Sequence, residues 1–128
     1  MIKPTNALTA AKIRSWANKK TKQDLLPQLQ DLAVVAQYAE LLVSLASNKD
    51  CPQRVNILNC LYSYVGKSVS QHTTPDFHAI SDLLDKAANS DDVIILNWVA
   101  RSRIILRDLK KYDYVEWCGG GFVGKDLA

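Results

Sequence analysis

The chain has 128 residues, enough for one compact domain and too few for two. Hydrophobic residues make up 48% and charged residues 23%, with five glycines and four prolines, which excludes general disorder and collagenous or low-complexity character. The net charge of +3 is too modest for a dedicated nucleic-acid binder.

Helical signals run the length of the chain. Thr5 or Thr9 opens a first helix that extends to about Lys19, with Ala7, Leu8, Ala11, Ile13 and Trp16 as its apolar contacts, inside a basic segment over residues 1–20. Thr21 followed by Asp24 resembles a capping box, and Leu25, Leu29, Leu32, Val35, Ala36, Ala39, Leu42 and Ala46 follow at helical spacing. Pro27 either kinks the first turns of that helix or marks its true start. Asp50 and Pro52 open a third helix through Val55, Leu58, Leu61, Tyr62 and Val65, for which Gly66 is the natural breaker. Thr74, Pro75 and Asp76 then form a helix start ahead of Phe77, Ile80, Leu83, Leu84 and Ala87. Ser90 caps the last helix, whose first turn carries Asp91 and Asp92.

Residues 93–100 are apolar almost all round, which predicts a segment surrounded by neighbours, with Ile95, Leu96, Trp98 and Val99 in the buried centre. The β-branched run at Val93, Ile94 and Ile95 would also suit a strand, but the helical pattern continues through Ile105 and Leu109. No period-2 run of useful length occurs elsewhere, so the expected fold is all-α. It is a single domain, read as a five-helix antiparallel bundle. Helix pairs of similar length over 22–66 and 75–111 also allow two stacked helical hairpins. Residues 112–128, with Gly119, Gly120, Gly121 and Gly124, read as an aromatic and glycine-rich loop or flexible tail.

Few constellations point to chemistry. Cys51, Cys60 and Cys118 lack the close pairs of a zinc or redox motif and read as reduced thiols, Cys60 in the core and Cys118 the most exposed. No segment approaches the ~20 apolar residues that cross a bilayer. The first residues show no apolar core of a secretory signal, so a cytoplasmic protein without a membrane partner is expected. His78, Asp82 and Asp85 share a helical face and would suit a metal or acid–base pair, but any exposed acidic helix offers that arrangement. His72 stands in a polar loop with nothing to single it out. The triple glycine follows no strand, precedes no helix and is closed by no Lys-Ser or Lys-Thr dipeptide, unlike a phosphate loop. No enzymatic activity, metal or cofactor is expected. Tyr112, Tyr114 and Trp117 are of the type that anchors protein interfaces.

Charge is segregated. Residues 1–22 hold Lys3, Lys12, Arg14, Lys19, Lys20 and Lys22 with no acid. Residues 76–92 hold Asp76, Asp82, Asp85, Asp91 and Asp92 against Lys86 alone. A second basic stretch carries Arg101, Arg103, Arg107, Lys110 and Lys111 against Asp108. Such fields steer charged partners.

The stretch LNWVARSRIILRDLKKYDYVEWCGGG, residues 96–121, resembles the closing segment of small α-helical immunity proteins, the partners of toxins that bacteria use against one another by contact. The resemblance implies a cytosolic, non-catalytic protein that binds a cognate toxin, often a basic nuclease domain, and blocks its active site. Asp76, Asp82, Asp85, Asp91 and Asp92 would then form the docking surface. The net charge of +3 departs from the acidic balance of many nuclease-blocking partners. The alternative from another class is a nucleic-acid-associated accessory protein using the basic clusters 3–22 and 101–111, with Trp16 stacking on a base.

Overall fold

The computed structural model describes residues 8–71 and 77–127. Thr5, Thr74, Pro75, Asp76 and His72 of the expectations above lie outside the described residues. Seven α-helices and two 3-10 turns form among the described residues, without a strand, in place of the five helices expected.

Helix α1, Ala10–Ala17, is capped by Thr9, whose extended backbone lets its hydroxyl accept from the Lys12 N–H. Its inner face buries Ile13, Trp16 and Ala17, and the Trp16 indole donates to the Asp24 carbonyl at 2.9 Å. The capping box at Thr21 does not form. The chain from residue 19 to 26 is instead an irregular strap tied to the buried side chain of Gln53. That amide donates to the carbonyls of Lys19 and Thr21 and accepts from the Gln23 N–H. Three long-range bonds to one buried side chain satisfy backbone groups that a helix would otherwise pair. Pro27 opens a 3-10 turn, Pro27–Gln30, and Asp31 caps the helix proper, α2, Leu32–Ala46, by accepting from the Ala33 N–H at 2.9 Å.

Helix α3, Arg54–Gln71, runs straight through Gly66, the residue expected to end it. The glycine serves close packing: a Cβ there would lie 2.8 Å from Trp117 Cβ and 3.1 Å from the Tyr112 ring. Gly66→Ala therefore destabilises the fold by about 1–2 kcal/mol, because overpacking costs ~1–3 kcal/mol and outweighs a helix-propensity gain of at most ~1 kcal/mol. Chemical denaturation of the variant measures this.

Helix α4, Phe77–Ala87, buries Ile80, Leu83, Leu84 and Ala87 and turns Asp82 and Asp85 outward. Helix α5, Val93–Arg107, is capped by Asp92 rather than Ser90. The Asp92 carboxylate accepts from the Ile95 N–H, while the Ser90 hydroxyl accepts from the Asp92 N–H one step earlier. Asp108 ends α5 and starts the second 3-10 turn, Leu109–Lys111. Ile95, Trp98 and Val99 are buried as expected, but Leu96 is 37% exposed, so α5 is covered on one side only.

Residues 112–128 are no tail in the part described. Asp113 caps α6, Tyr114–Trp117, by accepting from the Val115 and Glu116 N–H groups. Gly120, at φ +81°, makes the left-handed turn into α7, Gly121–Leu127. Trp117 and Val123 are buried, and the Tyr62, Trp117 and Phe122 rings meet at centroid distances of 5.2–5.5 Å.

Helix α2 packs on α3 and α4, while α5 packs on α4 and α3. Two helix pairs thus face each other, with α1 laid on α2 and the C-terminal helices α6 and α7 laid on α3. No helix among the described residues is long and apolar enough to cross a membrane.

Candidate functional site

The α2–α4 contact leaves a trough open to solvent. At one end it widens to a hollow of about 510 Å³, with Val43, Leu83 and Ala87 on its floor and Glu40, Lys86 and Asp91 on its rim. A neighbouring hollow of about 250 Å³ continues along the same two helices past Gln37, Glu40, Tyr64, Asp82 and Lys86. Between the two, Lys86 Nζ of α4 reaches across to Glu40 Oε1 of α2 at 2.5 Å. This contact, with Asp82 nearby, holds the Lys86 ammonium above its ordinary range. Both side chains of the pair are exposed, so it stabilises the fold little and opens readily to a competing charge.

Several expected contact residues already have structural partners. Asp82 and Asp91 are exposed along the trough, as a docking surface requires. Asp85 is exposed but bonded to Arg103 of α5 at 2.9 Å. Asp92 is a correction. It lies mostly buried, capping α5 and accepting two 2.6 Å bonds from the Arg54 guanidinium, which in turn donates to the Ala46 carbonyl. That residue locks the ends of α2, α3 and α5 together and is not available to a partner. Asp76 lies outside the described residues.

The aromatic set divides in the same way. Tyr114 is 66% exposed. Trp117, at 1%, is a core residue and no interface anchor, because α6 folds its indole down onto α3 beside Tyr62 and Gly66. Tyr112 is half-buried, its hydroxyl 3.4 Å from Cys118 Sγ, and burial together with that contact pushes it up to about 12.

The second basic stretch is not one surface either. Arg101 turns inward, bonded to both carboxylate oxygens of Asp126 and to the Tyr62 hydroxyl, with its guanidinium 4.1 Å from the Phe122 ring centre. Arg107, Lys110 and Lys111 stay exposed.

Glu40 escaped the sequence reading. It lies 46 residues before Lys86, a separation that no local pattern reveals. One signal was available: Glu40 is the single charged residue in the fifteen of α2, on a helix otherwise apolar or neutral.

Other chemistry finds little support in the geometry. Among the described residues no group of three or more His, Cys, Asp or Glu side chains is placed to hold a metal ion. The three cysteines are free thiols, Cys51 and Cys60 buried and Cys118 half-buried. Burial raises the Cys60 thiol to about 12, so at neutral pH it is protonated and not a nucleophile. The triple glycine does precede a helix, α7, contrary to expectation, but its last member is the first residue of a seven-residue helix whose side chains are engaged with α3 and α5.

No family model, curated protein or solved structure matches the chain.

Proposed function

We propose that the protein is a non-catalytic binding module that docks a basic protein partner along the α2–α4 trough. In its specific form it is a cytoplasmic immunity protein that binds and neutralises a cognate toxin domain. The supporting observation is the trough itself: an apolar floor of Val43, Leu83 and Ala87 beside the exposed carboxylates of Glu40, Asp82 and Asp91. A lysine or arginine of the partner displaces Lys86 from Glu40 while an apolar neighbour fills the floor. Charged rims of this kind set association rate and partner choice more than raw affinity.

The test is co-expression with the product of the gene directly upstream of the protein's own, expected to be the toxin. The wild type restores growth, and purified protein binds the toxin with strong salt dependence. The double variant Glu40→Gln, Asp82→Asn keeps its stability within about 1 kcal/mol, since exposed charges contribute little. It weakens toxin binding about tenfold, mostly through slower association. Undiminished protection by that variant, together with loss of protection on replacing Lys19 and Lys20, would place the contact on the strap after α1 instead. Absence of any toxin binding by the wild type refutes the immunity reading outright.

A further inference from the structure

Helix α5 is apolar on two opposite faces. Ile95, Trp98, Val99 and Ile105 point into the core. Val93, Leu96, Ala100 and Ile104 form a second stripe, spaced three, four and four residues apart, on an arc of about 80° at ~100° per residue. Val93 is 65% exposed, Leu96 37% and Ile104 45%, and Ala100 is exposed as well. Core packing does not account for that stripe, since the side chains that fill the core lie on the other face.

The stripe has an internal symmetry. Reversing the helix about Ala100 places Leu96 on position 104, Ile104 on position 96 and Val93 on position 107. The charges at its ends are opposite: exposed Asp91 lies just before Val93, and exposed Arg107 closes the helix, followed by Lys110 and Lys111. Neighbouring charges are already used within the chain, Asp92 by Arg54 and Arg103 by Asp85. Asp91 and Arg107 form no ion pair among the described residues.

We propose that this face is covered by the same face of a second copy, with the two α5 helices antiparallel about a two-fold axis through Ala100. Leu96 of each copy packs on Ile104 of the other, and the aliphatic stem of Arg107 lies over Val93 with its guanidinium on Asp91. A two-fold axis repeats each of these contacts. Alanine at the crossing lets the helices approach closely, towards the lower end of the usual 8–10 Å between axes. A parallel pair would instead set Arg107 against Arg107 and Asp91 against Asp91. The charge pattern thus selects the antiparallel copy over a parallel one, and its two signs fit a self-complementary partner better than a uniformly acidic one. A single helix pair buries less than the ~800 Å² per partner of a standard interface, so the dimer is in concentration-dependent equilibrium with the monomer.

Sedimentation equilibrium of the purified protein tests this. A monomer–dimer equilibrium is expected, and a monomer at every concentration up to about 1 mM overturns the proposal. Asp91→Arg or Arg107→Asp alone sets like charges opposite each other at both ends of the pair, and each weakens dimerisation about tenfold or more. The double variant Asp91→Arg, Arg107→Asp restores it to within about threefold. All four residues of the stripe and both charges are on the surface, so thermal melting at low concentration stays near the wild-type value for each variant. Ala100→Cys in a Cys118→Ser background supplies a second measurement, because a residue on the axis meets its own copy. Air oxidation then gives a covalent dimer. Dimerisation that ignores the charge changes, or fails to cross-link at position 100, refutes this interface.

Discussion

Trp98→Ala lowers the unfolding free energy by about 3–5 kcal/mol, the range for emptying a large aromatic site in a close-packed core. Trp98 is fully buried on the inward face of α5, a helix that packs on both α3 and α4. Its indole N–H has no hydrogen-bond partner among the described residues, and neither has the Ser102 hydroxyl one turn later. A buried donor left unpaired costs about 1–3 kcal/mol, so part of what the ring contributes by packing is offset by its own nitrogen. Trp98→Phe is therefore expected to cost clearly less than the alanine change, since it removes that donor along with some volume. Urea denaturation of the two variants measures the difference. Equal losses would overturn this account, since the phenyl ring retains most of the packing that alanine removes.

Removal of residues 113–128 costs more than any single core truncation, about 5 kcal/mol or more by the sum of two buried side chains and one half-buried ring. The deleted segment carries Trp117 and Val123 from the core and Phe122 from its edge, and it leaves Tyr62 without its ring partners. It also removes Asp126 from the Arg101 guanidinium, whose side chain is only a quarter exposed. Breaking such a pair leaves a poorly solvated charge, the expensive outcome for a buried ion pair. With total stability typically about 5–15 kcal/mol, the shortened chain is expected to show little or no cooperative melting. A thermal scan by circular dichroism decides. A shortened chain that melts within a few degrees of the full protein would mean that α6 and α7 are accessory.

The all-helical class was legible because apolar spacing is a local property. Leu83, Leu84 and Ala87, and Ile95, Trp98 and Val99, could be placed inside from sequence alone. What escaped was decided by residues far apart in the chain. Gly66 looked like a helix end because isolated glycine is a poor helix former. Its tolerance comes from Trp117, fifty-one positions later, occupying the space where a side chain would stand. Thr21 and Asp24 had the spacing of a capping box, but the Gln53 side chain offered those backbone groups another set of partners. The glycines after Cys118 suggested a tail, whereas one left-handed residue and an aspartate cap suffice to fold two short helices there. Leu96 was placed inside because α5 is apolar all round, and sequence does not say that only one of its faces is covered.

The same limit governs the candidate site. Asp82 and Asp91 could be proposed from the local density of acids, and both reach the trough. Asp85 and Asp92 belonged to the same cluster, yet Arg103 and Arg54 engage them from other helices. Glu40 forms the opposite bank, and only the packing of α2 on α4 brings it there.

The seating of α6 on α3 also sets an order of events during synthesis. Trp117 emerges forty-six residues after α3 ends at Gln71, and at ~5–20 residues per second that is a delay of about 2–9 s. Through that interval the Tyr62–Gly66 side of α3 remains open to water or to a chaperone. The nascent chain therefore completes its core as a late, near-terminal step, and a ribosome stalled before Trp117 holds a chain with an exposed aromatic seam.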